Sequence, residues 1–159
     1  LYALSQLDAE TLPCSVSVLF SAQEELGERG AKIAAYTIQP DIALAVDVSF
    51  GRANEEAPEK CGSLGGGAMI GISPSLSAEV SRDLKNVAET EQIPWQPEVM
   101  AGTTGTNADQ FSVNRGGVKA CTVSIPLRYM HTPAEVIALS DVTATGDLLA
   151  AYLRGCKTC

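Results

Sequence analysis

Two short runs, the apolar Ile-Ala-Leu-Ala-Val-Asp-Val at 42–48, continuous but for one carboxylate, and the buried-strand pattern Val-Lys-Ala-Cys-Thr-Val-Ser-Ile at 118–125, constrain this chain more than any other feature. Runs this short and this rich in β-branched residues suit strands buried on both faces, which need helices to cover them. Helical stripes do accompany them. Leu76, Val80, Leu84 and Val87 recur at helical spacing through Glu89, after a Ser73-Pro74 pair that supplies an N-cap and a first-turn proline. Residues 30–36 are helix-compatible, and 107–114 make a short helix that Gly116-Gly117 ends. Thr132-Pro133-Ala134-Glu135 reads as a capping box opening a terminal helix that runs toward Leu153. Further strands are expected at 14–20 and at 95–99, the latter on a sheet edge because Pro94 and Pro97 cannot donate to a ladder. The strand from 118 is expected to stop at Pro126. Apolar residues at 1, 4 and 7 read as a helix tail, and residues 51–67, rich in Gly, Glu, Pro and Asn, as a long irregular connection. Strands alternating with helices imply an α/β fold, with a mostly parallel or mixed sheet, helices on both faces, and sites beyond the carboxyl ends of strands.

The 159 residues amount to one domain, placed at 1–153 with a terminal tail at 154–159. Nineteen acidic against eleven basic side chains give a net charge of −8, which argues against nucleic acid as a partner. No apolar stretch approaches the roughly 20 residues that span a bilayer, so no membrane partner is expected. The start lacks both an initiator Met and a basic signal region, and reads as the interior of a longer chain or a processed product. Cys14, Cys61 and Cys121 stand alone, as suits reduced thiols and a cytoplasmic location. Cys156-Lys157-Thr158-Cys159 is a C-x-x-C without a second pair, and reads as tail.

Polar residues follow apolar runs at three places: Gln23-Glu24-Glu25, Asp47, and Arg128-Tyr129-Met130-His131. Adjacent glutamates alone would most often be a solvated pair. Asp47 is harder to set aside, because a carboxylate inside an apolar strand costs several kcal/mol to bury unless donors or a cation meet it. His131, the only histidine, lies between a strand end and a capping box, a crevice position in α/β sheets. Two carboxylates and an imidazole on three loops form an N/O donor set suited to zinc or cobalt, and a further carboxylate beside them can act as base toward a metal-bound water. Gly65-Gly66-Gly67 lacks the Gly-Lys-Ser/Thr ending of a phosphate loop and suits substrate approach or a sharp turn. No serine sits in a Gly-x-Ser-x-Gly setting, which disfavours a serine hydrolase, and adjacent Glu24 and Glu25 are poorly placed for glycosidase work.

The strings Gln23-Glu24-Glu25-Leu26-Gly27-Glu28-Arg29-Gly30-Ala31, Ala45-Val46-Asp47-Val48, Leu64-Gly65-Gly66-Gly67 and Ile125-Pro126-Leu127-Arg128-Tyr129-Met130-His131-Thr132-Pro133-Ala134-Glu135, in that order, resemble the glutamyl and deblocking aminopeptidases. These are dinuclear metallopeptidases, some of which bear cellulase names, and the resemblance runs from about Leu1 to Leu153. It implies a zinc-exopeptidase-like fold, incomplete at the N-terminus, with residues 1–153 as the C-terminal portion of a catalytic domain. It implies two divalent metal ions, a peptide substrate, and a homo-oligomer of the tetrahedral dodecamer kind. By the same resemblance Glu24 is the general base, Glu25 and His131 share one metal, Asp47 binds the other, and Arg128, Tyr129 and Gly66 contact substrate. The family's His-x-Asp histidine and bridging aspartate have no counterpart here; Asp8 is too close to Glu24 to serve. The chain alone is therefore expected to be inactive or weakly active. The rival expectation is a non-catalytic fragment or homologue that keeps the fold for assembly or peptide binding. In Gly105-Thr106-Asn107-Ala108-Asp109, many relatives carry aspartate directly after the threonine; its role passes here to Asn107 or to Asp109.

Overall fold

The computed structural model describes residues 1–53 and 61–156. Part of the 51–67 connection, and Cys159 of the C-x-x-C, therefore lie outside the described residues. Among the described residues five helices and five strands follow one another as α1 (Tyr2–Ser5), α2 (Arg29–Ile38), β1 (Ile42–Phe50), β2 (Ala68–Ile72), α3 (Ala78–Thr90), β3 (Trp95–Val99), α4 (Asn107–Ser112), β4 (Lys119–Arg128), β5 (Val136–Ile137) and α5 (Leu139–Arg154), with a 3-10 turn at Glu24–Leu26. The strands form one mixed sheet in the order β1-β4-β2-β3, with β5 hairpinned onto the end of β4. β1 runs parallel to β4 and β3 parallel to β2, while β2 meets β4 antiparallel. The expected α/β architecture is what forms.

Side-chain alternation divides the sheet. The register that aligns Leu44 with Cys121 and Val123 with Ile70 puts these residues on one face, where Val80, Leu84 and Leu148 of α3 and α5 complete the core. The opposite face carries Ala43, Ala45 and Ala120, small enough for α4 and α2, with Ala108, Phe111, Ala31 and Ala35, to come close. β3 is an edge strand, as its prolines require. β1 forms the other edge; Val46 and Phe50 are about half exposed there.

Four local expectations fail. Residues 14–20 form no strand: the segment has no regular structure, pairs with none of the described strands and stays half-buried or exposed. Propensity for a strand is not a partner for one. β4 passes through Pro126 to Arg128, Pro126 lying opposite Ser49 of β1 in a parallel ladder where one missing donor is tolerated. α3 starts at Ala78, capped by the Ser77 hydroxyl, which accepts from Val80 N; Ser73 instead donates its hydroxyl to the carbonyl of Gly102. The Thr132–Glu135 pattern opens no helix. Thr132 Oγ1 donates to Tyr129 O at 2.6 Å and Glu135 Oε1 accepts from His131 N at 2.7 Å, so both capping-type bonds close a turn, and α5 begins only at Leu139. β2, directly after the glycine run, is a strand that no local pattern in the sequence announces.

Candidate metal centre

Glu24 and Glu25 sit on the 3-10 turn, entered through Gln23 at φ 60° and left through Gly27 at φ 90°. Both sides of the turn are hydrogen-bonded: Glu24 O accepts from Gly27 N and Glu28 N at 3.1 and 2.9 Å, and Gln23 O accepts from Leu26 N and Arg29 N. Behind it the start of α2 presses on the incoming chain. Gly30 N donates to Ala22 O at 3.0 Å, and a Cβ on Gly30 would lie 2.5 Å from that oxygen and 2.7 Å from Ala22 N, so only glycine fits. One face of α4 and the turn that ends it hold the same segment through three amides. Asn107 Nδ2 donates to Ser21 Oγ, Gln110 Nε2 to Glu28 Oε2 and Asn114 Nδ2 to Lys32 O, at 3.0–3.1 Å. Asp109 meanwhile closes its own loop by accepting from Thr104 N and Gly105 N. Asn107 and Asp109 thus take separate tasks.

The third contribution comes from the excursion between β4 and α5. Tyr129 and His131 have left-handed backbones, φ 64° and 61°, which cost non-glycine residues about 1–3 kcal/mol each and persist only where surroundings fix them. The Thr132 and Glu135 bonds supply that constraint, and the excursion returns through β5, where Leu127 faces Ile137 and Arg128 faces Val136. His131 Nε2 comes to 3.5 Å from Glu25 Oε1. Both side chains are more than 70% exposed, so as an ion pair this contact contributes little. Its importance is that two potential ligands from separate loops share one location.

Asp47, on β1, is half-buried, and its Oδ1 accepts from its neighbour Val48 N at 2.8 Å. Burial pushes the Asp47 carboxyl above the ordinary range; the Val48 amide opposes this and the Glu25 charge adds to it. Glu24 is raised chiefly by burial, then by Asp47, Glu25 and Glu28, with His131 pulling the other way. Glu24 therefore feels the charges of Asp47, Glu25 and His131, and Asp47 that of Glu25. Among the described residues no Lys or Arg pairs with Glu24, Glu25 or Asp47. An imidazole nitrogen with carboxylate oxygens, short of positive charge, fits zinc or cobalt in kind. It falls short in number: among the described residues no three His, Cys, Asp or Glu side chains stand close enough to hold an ion unaided.

The three residues expected at substrate are placed differently. Arg128 and exposed Tyr129 adjoin the excursion, and the buried Nε of Arg128 has no hydrogen-bond partner. Gly66 lies in a separate turn, where its N donates to Ser63 O and a Cβ would sit 2.8 Å from Gln96 Nε2. Sequence reasoning misses Asp141. Its side chain is completely buried, and Oδ2 and Oδ1 accept from Gly65 N and Gly67 N, each at 2.8 Å. The available signal is its place in the buried stripe of α5 with Ala144, Thr145, Leu148 and Tyr152.

Comparison with known proteins joins these features. The family model for M42 glutamyl aminopeptidases matches residues 1–148. A lysyl aminopeptidase of Pyrococcus furiosus is 34% identical over 142 residues, which cover 89% of this chain and 41% of that protein. The structure of an aminopeptidase from the archaeon Desulfurococcus kamchatkensis superposes with a TM-score of 0.90 at 34% identity, covering 98% of this chain and 45% of the other. The TET1 peptidase of Pyrococcus horikoshii, which can assemble into a tetrahedron or a large octahedral shell, gives a TM-score of 0.70 at 30% identity, covering 84% of this chain and 39% of the other. The chain thus spans less than half the length of the proteins it matches. It belongs to the M42 glutamyl aminopeptidase family.

Proposed function

We propose that this chain is the part of a cytoplasmic metallo-aminopeptidase that carries the general base and three ligands to two divalent metal ions, with the remaining ligands supplied by sequence outside it. The observation that supports this most is the approach of His131 Nε2 to Glu25 Oε1, with Glu24 and Asp47 within electrostatic range. When bound, zinc or cobalt would polarise a scissile carbonyl and acidify water at neutral pH. Glu25 and His131 would hold one ion and Asp47 the other. Glu24, adjacent in sequence to a ligand but not one itself, accepts the proton of the attacking water and returns it to the leaving amine. Its raised proton affinity, caused chiefly by burial, is in the direction that suits a group that must take up a proton and give it back. The exposed Tyr129 borders the same loop and would meet the peptide, with Arg128 beside it in the chain. The TET1 relatives, one a dodecamer and one able to form a tetrahedron or a large octahedral shell, support a homo-oligomer of the tetrahedral dodecamer kind.

The complete protein should contain about two divalent ions per subunit and release the N-terminal residue from aminoacyl chromogenic substrates. A complete protein that binds such ions yet cleaves nothing, with any divalent metal, would favour the second reading, a homologue that keeps the fold for assembly or peptide binding. The shortage of ligands among the described residues is what keeps that second reading in view.

A further inference from the structure

The amides of Gly65 and Gly67 point at one carboxylate, and it belongs to the protein. Asp141, third residue of α5, reaches back across 76 and 74 positions of sequence to accept from both. It is wholly buried, and two charge-assisted bonds together with the amino end of α5 make that burial tolerable. From the other side Gln96 of β3 grips the same turn: its Oε1 accepts from Ser63 N, and its Nε2 donates to Ser63 O and Gly67 O. Between these two holds lies Leu64. Its Cδ1 sits 2.5 Å from where a Cβ on Gly51 would be, and Gly51 N donates to Leu127 O at 2.7 Å. Leu127 begins the hairpin that turns out into Tyr129 and His131 and returns through β5 directly into α5. Asp141 therefore fastens the downstream root of the His131 excursion and, through the glycine turn and Leu64, supports its upstream root.

We infer that Asp141 is a positioning residue for His131: it locks the glycine turn and both roots of the excursion into one register. This rests on the proposed function for its consequence, though not for its geometry. Both carboxylate oxygens are needed, because each faces an N–H donor; an amide would present its own N–H₂ to one of them. The left-handed backbones of Tyr129 and His131 are what a released root would let relax.

The test uses the complete protein, with cobalt binding followed by calorimetry and by the visible spectrum. In Asp141→Asn the ion that depends on Glu25 and His131 should bind about tenfold more weakly, while the ion that depends on Asp47 changes by less than about twofold. Gln96→Ala, which loosens the same turn without stranding a buried charge, should show the same split, at about threefold. Leu84→Ala, in the core under α3, serves as the control for general destabilisation and should leave the split absent. Should Asp141→Asn fail to fold, Gln96→Ala carries the decision. Equal weakening of both ions, or unchanged affinity for both in the folded variants, overturns the assignment. A wild type that binds cobalt at neither site removes the proposed function and this inference together, whereas a wild type that binds two ions with variants that match it removes this inference alone.

Discussion

Gly30→Ala isolates the role of close packing behind the glutamate turn. The substitution adds one methyl group at the second position of α2, where alanine would ordinarily be favoured over glycine by about 0.5 kcal/mol. Here the new Cβ lands 2.5 Å from Ala22 O and 2.7 Å from Ala22 N, and since contacts shorter than 3.0 Å essentially do not occur, the two backbones must part by at least 0.5 Å. Neither obstacle is the end of a flexible side chain. Overpacking of this kind costs about 1–3 kcal/mol, so the net loss is about 0.5–2.5 kcal/mol. At about 2–4 °C per kcal/mol for a domain of this size, the thermal midpoint should fall visibly. The displaced backbone is Ala22, immediately before Gln23-Glu24-Glu25. Catalytic groups tolerate roughly 0.5 Å of error, and 1 Å can cost about a hundredfold, so turnover should drop about tenfold or more. Thermal unfolding and aminopeptidase turnover of the complete protein measure the two effects side by side. A Gly30→Ala protein as stable as wild type, with unchanged turnover, would show that Ala22 moves aside freely and would refute the reasoning.

Other perturbations separate the roles at the centre. Glu24→Gln should retain both metal ions while turnover falls about 10²–10⁴-fold, whereas His131→Ala should lose one ion; equal metal loss in both, measured by elemental analysis, would contradict the division of roles. In the metal-free protein the raised proton affinities of Glu24 and Asp47 mean that the folded state holds protons the unfolded chain has already released. Their contribution to stability is therefore greatest below about pH 4 and is lost as pH rises through the window between the ordinary and the raised values. Asp47→Asn should flatten that part of the pH–stability curve, and added zinc should stabilise wild type increasingly over the same window; identical curves for variant and wild type would sink the assignment.

The fold was legible where burial itself writes the pattern. The strands at Ile42–Phe50 and Lys119–Arg128 and the stripe of α3 carry apolar residues because both faces, or one, are covered; they form where expected, apart from the end of β4 and the start of α3. Residues 14–20 carry the same composition and form no strand, since a strand depends on a partner that composition does not report. The capping-box pattern misled for a related reason: Thr132 and Glu135 make bonds of the expected type, but to close a turn around His131. Glu24, Glu25, Asp47 and His131 stand out in the sequence through motif order, and the structure brings His131 to 3.5 Å from Glu25. Asp141 does not stand out, because a carboxylate in the first turn of a helix reads as a complement to the helix dipole, and nothing local announces that it spans to Gly65 and Gly67.

The outer rim of β1 has a consequence for handling this polypeptide by itself. Along this nine-residue strand the backbone groups that point away from β4 meet no strand among the described residues, and with Val46 and Phe50 showing they form an adhesive ledge of the sort that seeds cross-β growth. Turbidity or high-mass species from a preparation of these 159 residues would then report sticky ledges zipping together, and would say nothing about closed-shell architecture.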